Sequence, residues 1–245
     1  MINKDILNSA DNLKSSFRQA YPFPHIIIDN FFDPFILDQS LSEIQKYDDW
    51  AFDPNNYAAG NQVNKFYAPY SGNDDELARI QNVAPYTKSV LDYLQTNEFI
   101  HFLERLSGIK NLLGDEKLMA CSVHKVTKGG KLLVHADHNT HYITGLHRRL
   151  NILLYLNKNW EDDWNGHLEL WNKDLTTQTH KIAPIFNRVV IFEVTDDAFH
   201  GHPIPLETPD GVYRLSFAGY YCTTERPEYE ITPRHDVLWK NVSTV

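Results

Sequence analysis

The spacing of hydrophobic positions changes along the chain, and the change separates a helical first part from a strand-rich second part. In residues 1 to 20, Ile6, Leu13 and Phe17 fall roughly on one helical face, which predicts a helix. Pro22-Phe-Pro24 ends it, because proline removes a backbone donor and restricts the residue before it. His25-Ile-Ile-Ile-Asp29 then reads as a buried strand. Asp33-Pro34 supplies an N-cap and a first-turn proline for a helix through Phe35 to Ile44. From Tyr47 to Asp75 the chain is rich in Asp, Asn, Tyr, Gly and Pro, with little periodicity. Such a stretch is either a functional loop covering a site or a surface connection with a short strand. Glu76 to Ser107 predicts two helices broken near Gln95-Thr96-Asn97. After Gly114 short β runs separated by turns continue to about Cys222. Helices first and many strands later predict an α+β fold, with N-terminal helices buttressing a jelly-roll of strands.

Bulk properties narrow this picture. A chain of 245 residues suits one sizeable core, here expected as a single domain over 1–245. Residues 1–115 form its helical buttress and opening strand, 116–227 its strand core and 228–245 a C-terminal tail. The net charge of −9 argues against nucleic acid or an anionic membrane as main partner. His147-Arg148-Arg149 is a small basic patch, read as a solvated pair of arginines or as a contact for an acidic substrate. Cys121 and Cys222 are too few for a disulfide framework and lack zinc-finger spacing, so reduced thiols are expected. The N-terminal residues hold no apolar run of signal-peptide length, and no run is long enough to span a membrane. The simplest expectation is a cytoplasmic enzyme, with no indication of oligomeric state.

The chemistry is concentrated between His135 and Arg214. His135-Ala-Asp137 closes the apolar run Lys131-Leu-Leu-Val, and at period two Leu133, His135 and Asp137 share a strand face. His200 follows the β-rich run Arg188-Val-Val-Ile-Phe-Glu-Val, and Arg214 follows later with Ser216 on its own face. Two imidazoles and one carboxylate can cover one face of an Fe(II) ion and leave the other positions open. A downstream arginine can grip the far carboxylate of a dicarboxylic co-substrate. His-x-Asp alone is weak, since roughly one such triplet is expected by chance in this composition. Three suited groups on or beside predicted strands are less easily accidental. His138, His141, His167, His180 and His202 are competing imidazoles; none has an aspartate two residues on, though Glu169 stands two residues after His167.

Several ordered blocks carry a resemblance to a family. They are His135-Ala-Asp-His-Asn, Arg148-Arg-Leu-Asn-Ile-Leu-Leu-Tyr-Leu-Asn-Lys and Trp164-Asn-Gly-His-Leu-Glu-Leu-Trp, followed by Phe186-Asn-Arg-Val-Val-Ile-Phe, Phe199-His-Gly-His-Pro and Arg214-Leu-Ser. Together, residues from about 120 to 227 resemble the 2-oxoglutarate/Fe(II) dioxygenases of the prolyl 4-hydroxylase type, in the branch common in bacteria and viruses. Residues 22 to 44 resemble that family's N-terminal strand and helix, while the resemblance does not place about 50 to 115. The resemblance implies a double-stranded β-helix core and a metal site of His135, Asp137 and His200. It also implies Fe(2+) and 2-oxoglutarate as cofactor and co-substrate, and ascorbate as reductant. Related halogenating enzymes lack the ligand carboxylate, so Asp137 favours hydroxylation.

The other pocket residues follow from resemblance and alternation together. Arg214 is expected to anchor the 5-carboxylate of 2-oxoglutarate, a place that lysine takes in part of the family, with Ser216 adding a hydroxyl donor. Lys125 is the next cation in line should Arg214 not serve. Tyr155 sits where relatives hydrogen-bond the same carboxylate, and Asn151, Leu153 and Tyr155 share a face; Tyr155 is otherwise plain core. His124 lies near a polar pocket position of relatives or faces outward. Leu168 packs against the co-substrate's methylenes or is strand core, and His202 faces the iron or the co-substrate. The expected reaction is hydroxylation coupled to conversion of 2-oxoglutarate and O2 to succinate and CO2, on a peptidyl or free proline. A tailoring oxygenase of a small metabolite or glycan is the other enzymatic reading. A non-catalytic jelly-roll binding protein would have no need of all four of His135, Asp137, His200 and Arg214. The aromatics between Tyr47 and Asp75 (Trp50, Phe52, Tyr57, Phe66, Tyr67, Tyr70) predict that part of this loop covers the iron mouth and contacts the substrate.

Overall fold

The computed structural model describes residues 1–51, 59–69, 71–115, 118 and 121–242. The first stretch is two helices rather than one, α1 (Lys4–Asn8) and α2 (Ala10–Gln19). The break falls at Ser9, whose hydroxyl donates to the Ile6 carbonyl. A serine that bonds its own backbone offers an alternative to the helical ladder. The face is as expected, with Phe17 fully buried and Ile6 and Leu13 packed beside it. Strand β1 (His25–Ile28) and helix α3 (Pro34–Ile44) follow, and Asp33 caps α3 by accepting from the Phe35 and Ile36 amides. Strand β2 (Gln62–Ala68) occupies part of the aperiodic stretch.

Three helices, not two, come next: α4 (Asp74–Val83), α5 (Pro85–Tyr93) and α6 (Asn97–Ser107). The extra break is at Ala84, which Pro85 pushes out of the helical region to φ −142° and ψ 59°. The break near Thr96 is present, with Thr96 capping α6. The rest is β-rich: β3 (Cys121–Ala136), β4 (His147–Tyr155), β5 (Leu168–Trp171), β6 (Gln178–Ile182), β7 (Val189–Glu193), β8 (His200–His202), β9 (Arg214–Thr223) and β10 (Leu238–Trp239).

The strands make one antiparallel sheet in the order β1-β7-β4-β9-β3-β8-β5-β6, with β2 and β10 also paired to β3. Its curl is set by β3. Residues Cys121 to Val126 pair with β9, whereas Leu132 and His135 pair with β8, so β3 passes from one sheet to the facing one. The bend is at Gly129-Gly130. Gly129 has φ +72°, and a Cβ on Gly130 would lie 2.4 Å from Val126 Cγ1. Only glycine fits so close an approach of backbone to side chain. The result is the double-stranded β-helix.

Alternation decides what each face holds. On β4, Ile152 and Leu154 point to a core shared with Phe17, Phe31, Phe99 and Phe102 of the helical part and its connections. Leu153 and Tyr155 point between the facing sheets, packed with Leu168, Val190 and Phe192. Both faces of β4 are thus buried, which is why it reads as an almost unbroken apolar run. The helices cover the outside of this sheet and leave its inside for a cavity.

Candidate metal centre

The cavity begins where β3 ends. His135 on β3 is in register with His200 at the start of β8, and Asp137 follows one residue beyond the strand. Leu132 rather than Leu133 shares the cavity wall with these groups, because a register shift between Leu132 and His135 reverses the alternation there. His135 Nε2 lies 3.6 Å from Asp137 Oδ1, and His200 Nε2 lies 3.7 Å from Asp137 Oδ2. Among the described residues these three form the one His/Cys/Asp/Glu group able to hold a metal ion, with all ligand atoms within 4.8 Å of one another.

Hydrogen bonds orient all three. His135 Nδ1 is 2.8 Å from the Leu133 carbonyl and His200 Nδ1 is 2.9 Å from that of Ala198. Each Nδ1–H therefore donates to backbone, and each Nε2 lone pair turns toward Asp137. Asn151 Nδ2 donates to Asp137 Oδ2 at 3.0 Å and the Tyr220 hydroxyl to Oδ1 at 3.2 Å. Burial lowers the His200 pKa to about 4, which keeps its imidazole neutral. Burial works to raise Asp137, but its hydrogen-bonding and positively charged neighbours, Arg148 among them, hold its carboxyl well below the usual carboxylate range. Two imidazoles and a carboxylate, converging in a buried cluster, are a donor set that fits Fe(II).

The wall beside this cluster is ordered in cross-strand rows. Tyr67, His124, Ser216 and Tyr155 form one row across β2, β3, β9 and β4. Arg214 stands in the neighbouring row. Its Nε donates to the Gly166 carbonyl at 2.7 Å and its Nη2 to the Tyr155 hydroxyl at 3.2 Å. Leu168 and His202 complete the lining of a cavity of about 530 Å³, a usual size for a small-molecule site. Ser216 Oγ, both ring nitrogens of His202 and Asn151 Oδ1 are buried without a partner. Buried polar atoms are normally paired, so a polar ligand is the physical reason for leaving these open. A guanidinium, two hydroxyls and orphaned donors beside a metal set fit a dicarboxylate.

Gly166 explains part of this geometry. A Cβ there would lie 2.4 Å from Leu206 Cδ2 and 3.2 Å from Arg214 Cδ, at φ +72°. Gly166→Ala is therefore expected to displace Arg214 and weaken 2-oxoglutarate binding by about tenfold; calorimetric titration of the variant checks it.

Other sequence expectations are redirected. Lys125 points away from the cavity, with its ammonium 4.1 Å from the Trp50 ring centroid and 5.3 Å from that of Tyr213. It sits one residue off the inward face of β3, so it cannot replace Arg214. Arg148 and Arg149 are not a solvated pair, being 5% and 6% exposed. Arg149 pairs with Glu230 at 2.9 Å, while Arg148 stacks 3.7 Å over the Tyr220 ring and lines the cavity. The outward reading of His124 fails, since it lines the cavity against Tyr67. His141, His167 and His180 lie outside the metal group, though His138 reaches the cavity wall.

Part of the aperiodic stretch does wall the cavity: Gln62, Lys65, Tyr67, Pro69 and Ser71. Trp50 packs instead with the core shared with the helices, and Phe52, Tyr57 and Tyr70 lie outside the described residues. Tyr220 and Trp239, outside the sequence expectations, also line the cavity. Tyr220 was findable, being at even spacing from Arg214 and Ser216 on β9. Trp239 packs 4.8 Å from the His135 ring through β10, which no local pattern in the tail announces.

Residues 121–222 match the family model described as the 2OG-Fe(II) oxygenase superfamily, from the start of β3 almost to the end of β9. This segment is a 2OG-Fe(II) oxygenase domain. The family's name states its use of Fe(II) and 2-oxoglutarate, the two groups that the donor sets fit. The chain is 29% identical over 168 residues to prolyl 3-hydroxylase OGFOD1 of Mus musculus, covering 62% of this chain and 29% of that protein. With prolyl 3,4-dihydroxylase OGFOD1 of Ostreococcus tauri the identity is 26% over 229 residues, 90% of this chain and 41% of the relative. The chain thus spans less than half the length of either. Among solved structures, a Pseudomonas putida prolyl-4-hydroxylase superposes with TM-score 0.59 at 14% identity, over 86% of this chain and 98% of that one. A prolyl hydroxylase of Trichoplax adhaerens, solved with a hypoxia inducible factor peptide fragment, gives 0.55 at 19% identity, over 89% and 90%. These superpositions show that the oxygenase domain shares their fold. Among the described residues no helix is long and apolar enough to cross a membrane.

The cavity also predicts acid sensitivity. Burial depresses His124, His138, His200 and His202, all of which line the cavity. A depressed histidine takes up its proton more readily unfolded, so its contribution to stability is present above the unfolded pKa of 6.5 and lost as pH falls toward the folded value of about 4 for His138 and His200. The thermal midpoint of chelator-treated protein is expected to fall by about 5 °C or more between pH 7 and pH 5. A flat midpoint over that range would contradict this.

Proposed function

We propose that this protein is an iron- and 2-oxoglutarate-dependent hydroxylase acting on a prolyl residue of a peptide. The observation that carries the reading is one cavity holding both the His135, Asp137, His200 group and the Arg214, Tyr155, Ser216 group. In this reading the first group binds Fe(II), and Arg214 grips the 5-carboxylate of 2-oxoglutarate with help from Tyr155 and Ser216. When bound, iron, 2-oxoglutarate and O2 supply the oxidising chemistry, with one oxygen atom entering the substrate C–H bond and the other entering succinate as CO2 leaves.

The chain's own residues position and shield. Asn151 and Tyr220 fix the Asp137 carboxylate, while the backbone carbonyls of Leu133 and Ala198 fix the imidazoles. Leu168 and Leu153 give the cavity apolar walls beside the polar anchors. His124 and His202, held neutral by burial, are available as hydrogen-bonding groups to the co-substrate. Part of β2 and the residues after it add Gln62, Lys65, Tyr67, Pro69 and Ser71 to the cavity wall.

Prolyl substrates are favoured because the curated relatives are named prolyl hydroxylases, and peptides because one fold relative was solved with a peptide fragment. Ascorbate as reductant and a cytoplasmic location belong to the same proposal; the latter fits two buried cysteines that are both free thiols. The test is succinate release from Fe(II)-loaded protein across proline-containing peptides, free proline, small metabolites and glycans, with mass analysis of the acceptor. A proline-containing peptide that gains one oxygen per succinate supports the reading. Turnover confined to a metabolite or glycan would overturn the prolyl assignment and leave the oxygenase intact.

A further inference from the structure

The cavity contains a second cation that the roles above leave unused. Lys65 on β2 is in register with Val126 of β3, and Val126 is in register with Arg214 of β9. Lys65 and Arg214 therefore share a sheet face and a row, with one strand between them, and both line the cavity. Three residues before Lys65, Gln62 pairs with Leu132, which pairs with His202 of the facing sheet. Lys65, Gln62, His202 and Arg214 thus wall one end of the cavity. Asn151 and Tyr220, which hold Asp137, belong to a different row, six residues along β9 from Arg214.

The Lys65 ammonium has no hydrogen bond or ion pair among the described residues; its contact is the Tyr67 ring, 5.2 Å away. Burial pulls its pKa down to about 7, the Arg214 charge adds to this, and Asp137 offsets part of it. An ammonium that opens into the cavity beside a guanidinium, with no anion paired to it, is available to a ligand that brings one. Among the described residues, Asp137 is the one carboxylate whose charge acts on Lys65, and it belongs to the metal group.

We propose that Lys65 is a second cationic contact for the distal carboxylate of 2-oxoglutarate, reaching it from β2 while Arg214 holds it from β9. This rests on the iron and 2-oxoglutarate reading. Arg214 has its Nε committed to Gly166 and one Nη2 hydrogen to Tyr155, so one edge of its fork remains for the ligand. An ionised carboxylate has about four lone-pair sites, leaving room for a further donor beyond Arg214 and Ser216. Lysine supplies a mobile point charge with three donors, which complements the fixed arginine fork. Two cations on the distal carboxylate select against 2-oxo acids that lack it. They also make β2, an added strand beside the mouth, part of the co-substrate site.

The test compares 2-oxoglutarate with 2-oxovalerate, which keeps the 2-oxo acid end and lacks the distal carboxylate. Each is titrated by calorimetry into Mn(II)-loaded wild type, Lys65→Met, Lys65→Arg and Arg214→Ala. Lys65→Met is expected to weaken 2-oxoglutarate by about 10- to 100-fold, to leave 2-oxovalerate within about twofold, and to be largely rescued in Lys65→Arg. The ligand-free thermal midpoint of Lys65→Met is expected to equal or exceed that of wild type, because an unpaired charge has been removed. Unchanged 2-oxoglutarate affinity in Lys65→Met overturns the proposal, and a raised KM for the primary substrate alongside it would assign the lysine to an anion there. Equal loss for both acids also overturns it, since the effect would then lie at the metal end. If Arg214→Ala weakens 2-oxoglutarate and Lys65→Met does not, the iron and 2-oxoglutarate reading stands without this addition. Failure of the wild type to bind 2-oxoglutarate overturns both.

Discussion

Replacing Asp137 with alanine is expected to weaken Fe(II) binding by more than about 100-fold and to abolish succinate release. Loss of a residue that merely orients a ligand typically costs 10- to 100-fold, and Asp137 is itself the carboxylate of the set. Two further consequences follow from its partners. Asn151 and Tyr220 would each face the vacated space with a buried donor unpaired, at roughly 1–3 kcal/mol apiece. The two imidazoles would lose the anion that separates them, their ring centroids being 4.5 Å apart. Asn151→Ala is a milder probe of the same account, expected to cost about 10- to 100-fold in metal affinity without removing a ligand. Anaerobic metal titration by calorimetry reads both. Wild-type affinity in Asp137→Ala or His200→Ala would remove the metal assignment.

Arg214→Ala is expected to have the second largest effect, on 2-oxoglutarate rather than on iron. A charge-assisted hydrogen bond contributes about 1.5–3 kcal/mol in a favourable setting, equivalent to roughly 10- to 150-fold in affinity. Arg214 is 4% exposed and stacks near Tyr155, so its charge is poorly screened. Metal binding should be nearly unchanged, because Arg214 makes no contact with His135, Asp137 or His200. Tyr155→Phe should show a smaller shift in the same direction, as it removes one neutral hydroxyl. Arg214→Lys should recover part of the loss as a point charge without the fork. Measuring the 2-oxoglutarate concentration dependence of succinate release for each variant checks the order. An unchanged dependence in Arg214→Ala would shift attention to Lys65, since Lys125 faces away.

How far the chain disclosed this arrangement depended on whether side-chain alternation survived. On β4 and β9 it does, so Asn151, Leu153 and Tyr155, and likewise Arg214 and Ser216, could be placed on shared faces from their spacing alone. On β3 the bend at Gly129-Gly130 and the shift between Leu132 and His135 break the count, and Leu132 replaces Leu133 on the wall. On β2 the pattern is inverted. Gln62, Lys65 and Tyr67 line a polar cavity, while Phe66 turns to the other side near Lys125. Asn64, at φ 49°, interrupts the strand between them. A strand with polar groups inward and an aromatic outward lacks the signature of a core strand, so no local pattern marks Lys65 as a cavity residue.

Burial was the other blind spot. Arg148-Arg149 resembles a solvated pair in sequence because nothing local reveals that Tyr220 and Glu230 will meet them from distant segments. The same holds for Trp239, which reaches His135 only because β10 adds to β3. The extra helix break, in contrast, was legible in Ala84-Pro85.

The most direct test of the central claim, that one cavity holds the metal and the co-substrate together, is anaerobic titration of 2-oxoglutarate into protein with and without Fe(II). The account predicts one Fe(II) and one 2-oxoglutarate per chain, with co-substrate affinity raised strongly by the metal and lost in Asp137→Ala. Equal 2-oxoglutarate binding in metal-free and iron-loaded protein, or wild-type binding in Asp137→Ala, would contradict it.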